Sequence, residues 1–313
     1  MKAAVLQQHG ATPVHHDFEE PSPGPGQAVV DVAGAGLHHL VLSKASGDFY
    51  TGRPPVPSVV GTDGVGRLAD GRRVFFDETV APHGPMAERT LVPEDAMWDV
   101  PEGVDDAVAA ALGNTGQAAW LGLEYRAGLR EGETVLVLGA TGALGSVAVQ
   151  AARVLGAGRV VAAARAGERL ERLRDRGADA VVVLDDGGDL PAALREATGG
   201  GADVIIDALW GQPALAAMRA AGGRARHVQL GQGAAATLEI PAPVLRAPGL
   251  SLLGFAYFQA PADVRRDAYR RLAQAAADGQ IVVDVERVPL EDVGSAWERQ
   301  RRGAGRKLVV VPE

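Results

Sequence analysis

Thr134-Val135-Leu136-Val137-Leu138 runs straight into Gly139-Ala140-Thr141-Gly142-Ala143-Leu144-Gly145, and then into a stretch whose apolar positions 144, 147, 148, 151 and 155 repeat at helical spacing. An apolar strand, a glycine-rich turn and a helix in this order open a dinucleotide-binding unit. Gly142 and Gly145 leave no Cβ in the way of a pyrophosphate, so backbone N–H groups and the positive end of the helix can approach it. The fingerprint reads Ala140-x-Gly142-x-x-Gly145, with alanine where the tightest turn would have glycine. A bare glycine pattern says little in a chain with 41 glycines. The strand before it and the helix after it make this one specific.

Outward from the turn, apolar runs at 159–164, 180–184, 203–209, 225–231 and 251–255 alternate with helical stretches near 143–156, 167–176, 189–197 and 212–221. Such alternation predicts a parallel sheet covered on both faces. Beyond it lie an amphipathic helix at 263–278, strands near 281–288 and 306–311, and a helix around 291–302. Before it, short strands at 2–6, 27–33, 58–69, 72–76 and 86–92 are broken by Gly and Pro, as in Pro21-Ser22-Pro23-Gly24-Pro25-Gly26. Asp105-Asp106 can cap an alanine-rich helix, and a helical run over 117–127 follows Gly113-Asn114-Thr115-Gly116. The expected fold class is α/β: a doubly wound Rossmann domain, 114–256, inserted between two parts of a β-rich domain, 1–113 and 257–313, with a cleft at the junction.

Composition narrows the function. The 313 residues are 47% hydrophobic and 22% charged, as in a globular protein, and the net charge of −8 argues against nucleic acid and anionic membrane as partners. No window approaches the roughly 18 apolar residues of a membrane helix, so a cytoplasmic location is expected. The absence of cysteine removes disulfides, thiol nucleophiles and thiolate metal sites together. Three lysines, Lys2, Lys44 and Lys307, stand against 28 arginines, a bias that weakens the evidence of any single arginine.

The end of the second strand bears on which dinucleotide binds. An acid about 20 residues past the glycines would accept the ribose hydroxyls of NAD, whereas arginine accommodates the 2′-phosphate of NADP. The strand ends Ala162-Ala163-Ala164-Arg165, and no acid appears until Glu168 in the next helix. The missing carboxylate, with Arg165 and Arg169 able to pair with phosphate, favours NADP(H).

The whole chain resembles the medium-chain dehydrogenase/reductase superfamily, in particular its zinc-free quinone oxidoreductase branch, the group that includes zeta-crystallin. The resemblance rests on Met1-Lys2-Ala3-Ala4-Val5, Val32-Ala33-Gly34-Ala35-Gly36-Leu37, Gly61-Thr62-Asp63-Gly64-Val65-Gly66, 128–137, the glycine turn followed by Ala148-Val149-Gln150-Ala151-Ala152, and the closing Arg306-Lys307-Leu308-Val309-Val310. It implies a GroES-like β domain around the Rossmann insertion, and a homodimer made by edge-to-edge pairing of 251–258. By position it implies cofactor contacts from Asn114, Thr115, Leu230, Gly231, Phe255, Tyr257 and Lys307, besides residues 139–145, Arg165 and Arg169. Zinc alcohol dehydrogenases of the superfamily hold metal where this chain has His38, Thr62 and a position near Asn114. Thr62 cannot replace an imidazole, so no metal is expected. His38 either lines the substrate cleft or is a packed structural histidine.

Without a Lewis acid, reduction is the easier direction: NADPH can deliver hydride to a quinone or to the β-carbon of an α,β-unsaturated carbonyl. Tyr50, in Gly47-Asp48-Phe49-Tyr50-Thr51-Gly52, resembles the tyrosine of enoyl-reductase relatives and is the best proton donor, with a surface loop tyrosine as the bland alternative. None of the four tyrosines has a lysine four residues on, which removes the short-chain dehydrogenases. Two alternatives remain open, a non-catalytic NADPH-binding protein of crystallin type and a zinc-type alcohol dehydrogenase.

Overall fold

The structure, a computed structural model, describes residues 1–50, 52–185 and 187–312. The chain divides into two compact units, one of Met1–Thr115, Tyr269–Asp278 and Val283–Glu313, the other of Gly116–Ala268 and Gly279–Val282. The first unit opens with β1 (Lys2–Leu6), β2 (Val14–Asp17), β3 (Gln27–Leu37), α1 (His39–Ser46) and β4 (Ser58–Val59). It continues through β5 (Gly64–Arg67), β6 (Arg73–Phe76), β7 (Arg89–Pro93), β8 (Met97–Asp99) and α2 (Asp106–Ala111). The Asp105 carboxylate caps α2, accepting from the N–H groups of Ala107 and Val108 at 3.0 and 3.2 Å.

The second unit carries α3 (Gln117–Leu121), β9 (Thr134–Leu138), α4 (Ala143–Val154), β10 (Arg159–Ala164), α5 (Glu168–Glu171), β11 (Ala180–Val183) and α6 (Leu190–Ala197). After these come β12 (Ala202–Asp207), α7 (Gly211–Arg219), β13 (Ala221–Gln229), α8 (Ala242–Arg246) and β14 (Ser251–Gly254). Its six strands are all parallel, in the order β11-β10-β9-β12-β13-β14. Counted within the unit this is 3-2-1-4-5-6, the Rossmann order, whose switch point lies between β9 and β12. Val135, Leu136, Val137 and Leu138 are fully buried, which is why the run reads as continuously apolar. In register, Leu138 pairs with Ala163 of β10 and Asp207 of β12. The segments carrying Gly139, Arg165 and Trp210 therefore leave the sheet along one edge, the carboxyl ends of the strands.

Helix α9 (Ala262–Ala277), β15 (Val285–Pro289), α10 (Val293–Arg302) and β16 (Lys307–Val311) complete the chain. In the first unit, the order β15-β16-β3-β5-β6-β8, with β7 also on β3, forms one sheet, and β2-β1-β4 another. Phe75 stacks on Tyr269 at 4.0 Å, and the Tyr269 hydroxyl donates to the carbonyl of Ala109 at 3.1 Å. These contacts tie α9 to β6 and α2.

Several elements differ from the sequence reading. The helix expected over 167–176 is confined to Glu168–Glu171, because only Leu170 and Leu173 in that charged stretch are buried. The strand expected over 225–231 begins at Ala221 and ends at Gln229. Pairing along 251–258 is limited to β14, which ends at Gly254, and Tyr257–Gln259 winds into a short 3₁₀ turn. β2, whose Val14, His15, His16 and Asp17 are all exposed, carries no alternation from which to read it.

Candidate active site

In the first unit, Asp63 is a buried carboxylate surrounded by donors. Its Oδ1 lies 2.7 Å from His38 Nε2 and accepts from Thr62 Oγ1 at 2.6 Å. Its Oδ2 accepts from the backbone N–H of Asn114 at 3.0 Å. That approach requires Gly113, since a Cβ there would sit 2.3 Å from Asp63 Oδ2. On the other side, a Cβ on Gly36 would meet Lys307 Nζ at 3.2 Å and Asp63 Oδ2 at 3.4 Å. The register explains the arrangement: Leu308 pairs with Leu37, so β16 sets Lys307 beside the end of β3, where its Nζ donates to the Leu37 carbonyl at 3.4 Å.

The electrostatics follow from this packing. Burial works to raise the Asp63 carboxyl, but His38, Lys307 and the Thr62 hydroxyl outweigh it and hold the pKa at about 2. Burial lowers the Lys307 ammonium to about 8, with Asp63 opposing the fall. Burial likewise lowers His38 below its ordinary value despite Asp63, so the imidazole is neutral at neutral pH. An ionised carboxylate only accepts, which assigns the His38 proton to Nε2 and leaves Nδ1 a bare lone pair. Nδ1 is buried and has no hydrogen-bond partner among the described residues.

In the second unit, β9 turns at Gly139, where φ is +73°, and α4 begins after Gly142. Gly142 gives no side-chain cap, so the first amides of α4, those of Ala143, Leu144 and Gly145, keep their donor capacity. Ala140 is fully buried, Gly142 is exposed, and Thr141 is half-buried between them. A Cβ at Gly145 would lie 2.3 Å from the Gly139 carbonyl and 2.6 Å from Ala140 Cα, so glycine is what lets the helix pack onto the turn. Past the end of β10, Arg165 is exposed, with no hydrogen bond or ion pair among the described residues. Glu168, the nearest acid, is ion-paired with Arg172. The turn's shape and free donors fit a dinucleotide pyrophosphate.

The other residues singled out in the sequence lie in several places. Leu230 and Gly231 follow β13, and both their N–H groups donate to the carbonyl of Asp207. Phe255 and Tyr257 are buried, and Phe255 packs against Tyr125. Arg169 is exposed in α5. Thr115 is buried, its Oγ1 unpartnered among the described residues. Asn114 enters the Asp63 cluster through its backbone. Tyr50 stands in a loop, 73% exposed and tilted against Phe49, with partial burial raising its phenol pKa. Sequence reasoning missed the centrality of Asp63; the signal was an acid placed directly before a glycine-rich β strand.

A parallel sheet in Rossmann order, a glycine turn at its switch point and a β-rich unit formed from both ends of the chain define a dinucleotide-dependent class of enzyme. Comparison with known proteins agrees. Residues 143–275 match the family described as zinc-binding dehydrogenase. The quinone oxidoreductase-like protein 2 homolog of Nematostella vectensis is 30% identical over 266 residues, covering 81% of this chain and 71% of that protein. The mouse quinone oxidoreductase-like protein 2 is 29% identical, covering 74% of this chain and 68% of that protein. The quinone oxidoreductase of Thermus thermophilus, solved also in complex with NADPH, superposes with a TM-score of 0.82 at 28% identity over 99% of this chain and 100% of that one. The chain belongs to the medium-chain dehydrogenase/reductase superfamily, in its quinone oxidoreductase branch, and is an oxidoreductase. The zinc in the matched family's description does not fit the donors present. The chain has no cysteine, and among the described residues no three His, Asp or Glu side chains come together to hold a metal ion.

Proposed function

We propose that this protein is an NADPH-dependent reductase acting on a quinone or an α,β-unsaturated carbonyl without zinc. The observation that carries the reading is the turn at 139–145 opening a helix with uncapped amides, beside a strand that is followed by Arg165, unpaired among the described residues, and offers no free carboxylate. A 2′-phosphate suits that arrangement, and a ribose diol that needs an acid acceptor does not. The named relatives and the solved NADPH complex support the same assignment.

The residues that would hold the dinucleotide are 139–145 for the pyrophosphate, Arg165 with Arg169 for the phosphate, and Asn114, Thr115, Leu230, Gly231, Phe255, Tyr257 and Lys307 for the remainder. NADPH, when bound, supplies a hydride, and the chain must add one proton and stabilise the negative charge that develops on oxygen. Tyr50 is assigned the proton, since a phenol whose pKa is raised above its ordinary value of 10.0 stays protonated at neutral pH. His38, neutral and fixed by Asp63, orients the acceptor. The protein is proposed to work in the cytoplasm as a homodimer joined along β14.

A screen of NADPH oxidation over quinones, enones and aldehydes tests the reading. Turnover of at least one quinone or enone, unaffected by chelator, is expected. NADPH binding without turnover of any of them would leave the crystallin-type alternative, and activity abolished by chelator would restore the zinc-dependent one. Tyr50→Phe is expected to slow enone reduction more than quinone reduction, and unchanged rates on both would remove Tyr50 from the chemistry.

A further inference from the structure

The Asp63 cluster in the first unit leaves one ring nitrogen over. Asp63 Oδ1 accepts from His38 Nε2 and Thr62 Oγ1, and Oδ2 from the Asn114 N–H, so His38 meets the carboxylate through Nε2 and keeps Nδ1 as a lone pair. Turning the imidazole over would put Cε1 against Asp63 and break the 2.7 Å bond. The Cδ2 edge rests over Gly36, where a Cβ would lie 3.4 Å from it, so the Nδ1 edge is turned away from β3. His38 stands at the N-cap of α1, yet its side chain caps none of the helix amides. Nδ1 is thus fixed in identity and in direction, on a buried side chain, with no partner among the described residues.

A buried acceptor without a donor is costly, and a site that keeps one discriminates in favour of the ligand that supplies the donor. The chemistry of that ligand follows. A quinone or enone carbonyl oxygen brings only lone pairs, which repel the lone pair of Nδ1. An ammonium brings donors, but also a positive charge that Lys307 already supplies to this cluster. A hydroxyl brings a donor and no charge.

We infer that His38 reads a hydroxyl on the substrate: the quinone or enone that this enzyme reduces carries an O–H near its carbonyl system, and that O–H donates to His38 Nδ1. Asp63 is the positioning residue, since it holds the imidazole in the one tautomer and orientation that can accept. The inference rests on the reductase reading above and narrows its substrates to hydroxylated members of the two classes.

Two pairs of compounds test it on the full chain: 2-(hydroxymethyl)-1,4-naphthoquinone against 2-methyl-1,4-naphthoquinone, and 2-(hydroxymethyl)cyclohex-2-en-1-one against 2-methylcyclohex-2-en-1-one. With NADPH, the hydroxymethyl member of at least one pair is expected to show a kcat/KM about tenfold higher or more, the worth of one hydrogen bond. His38→Phe removes the acceptor, and Asp63→Asn offers an amide that can donate to Nε2 and so move the imidazole proton to Nδ1. Each should bring the ratio to about one or below. Loss of folded enzyme lowers both members of a pair together and leaves their ratio unmoved. Without cofactor, nitrogen-15 histidine spectra should show the His38 Nδ1 resonance, assigned by its absence in His38→Phe, shifted by a hydroxymethyl compound and not by its methyl counterpart. A wild-type ratio near one in both pairs, a ratio that survives in His38→Phe, or an Nδ1 resonance that no compound moves would overturn the inference, while turnover of the methyl compounds would leave the reductase reading intact. Failure of the wild type to oxidise NADPH with any of the four would overturn both.

Discussion

Asp63 has no exposure to solvent, yet it stays ionised because three hydrogen-bond donors and one ammonium take the place of water. Lys307 is the partner most weakened by the arrangement. Its ordinary pKa of 10.5 falls to about 8 on burial, so above pH 8 the native chain sheds a proton that the unfolded chain still holds. Stability from this group is therefore fully present above about 10.5 and lost as pH falls through about 8, a swing on the order of 3 kcal/mol. Lys307→Met should flatten that part of the stability–pH curve in chemical denaturation, and an unchanged slope would mean that Lys307 is solvated in the native state. Arg165 gives a prediction of opposite character, since it is exposed and among the described residues pairs with nothing that would miss it. Arg165→Ala should weaken NADPH by roughly 10- to 100-fold, the loss of a charge-assisted phosphate contact, and leave NADH and the melting temperature unchanged. Equal losses for both nucleotides would place the arginine's role elsewhere.

At the scale of elements, β14 is the conspicuous case. It pairs with β13 on one side, is the last strand of its sheet, and carries Leu252 at 37% exposure with Ser251 and Gly254 also exposed. An apolar edge of this kind is a template for another strand. Pairing with a second copy of itself is the proposed use, and Leu252→Lys should convert a dimer to a monomer in sedimentation at micromolar concentration; a wild type that sediments as a monomer would end the idea. The elements also show where the sequence was readable. β9, β10 and β12 lie buried on both faces, so Val135–Leu138, Val160–Ala163 and Val204–Ile206 spelled themselves out as apolar runs, and the glycine turn between β9 and α4 followed from them. The Asp63 cluster is assembled by β3, β5 and β16 from positions 38, 63 and 307, and only strand register brings these together.

The molecule as a whole is poor in soft nucleophiles, and that bears on the chemistry proposed for it. Quinones are electrophiles that add to thiolates, so an enzyme meeting them repeatedly is exposed to alkylation at any reactive cysteine. This chain has none, and it has only three lysines. Lys2 is paired with Asp17 at 2.8 Å, Lys44 is partly desolvated, and Lys307 is enclosed beside Asp63. The 28 arginines that carry nearly all of the positive charge stay protonated and do not react as nucleophiles at neutral pH. Incubation with excess 1,4-naphthoquinone in the absence of NADPH should therefore leave both intact mass and subsequent activity unchanged, where a cysteine-bearing reductase would lose activity as adducts form. Introducing one exposed cysteine away from β14, as in Ser22→Cys, should produce a single adduct by mass. Rapid inactivation of the unmodified chain would locate the reaction at a histidine or lysine, the exposed His15 and His16 of β2 being the first positions to map.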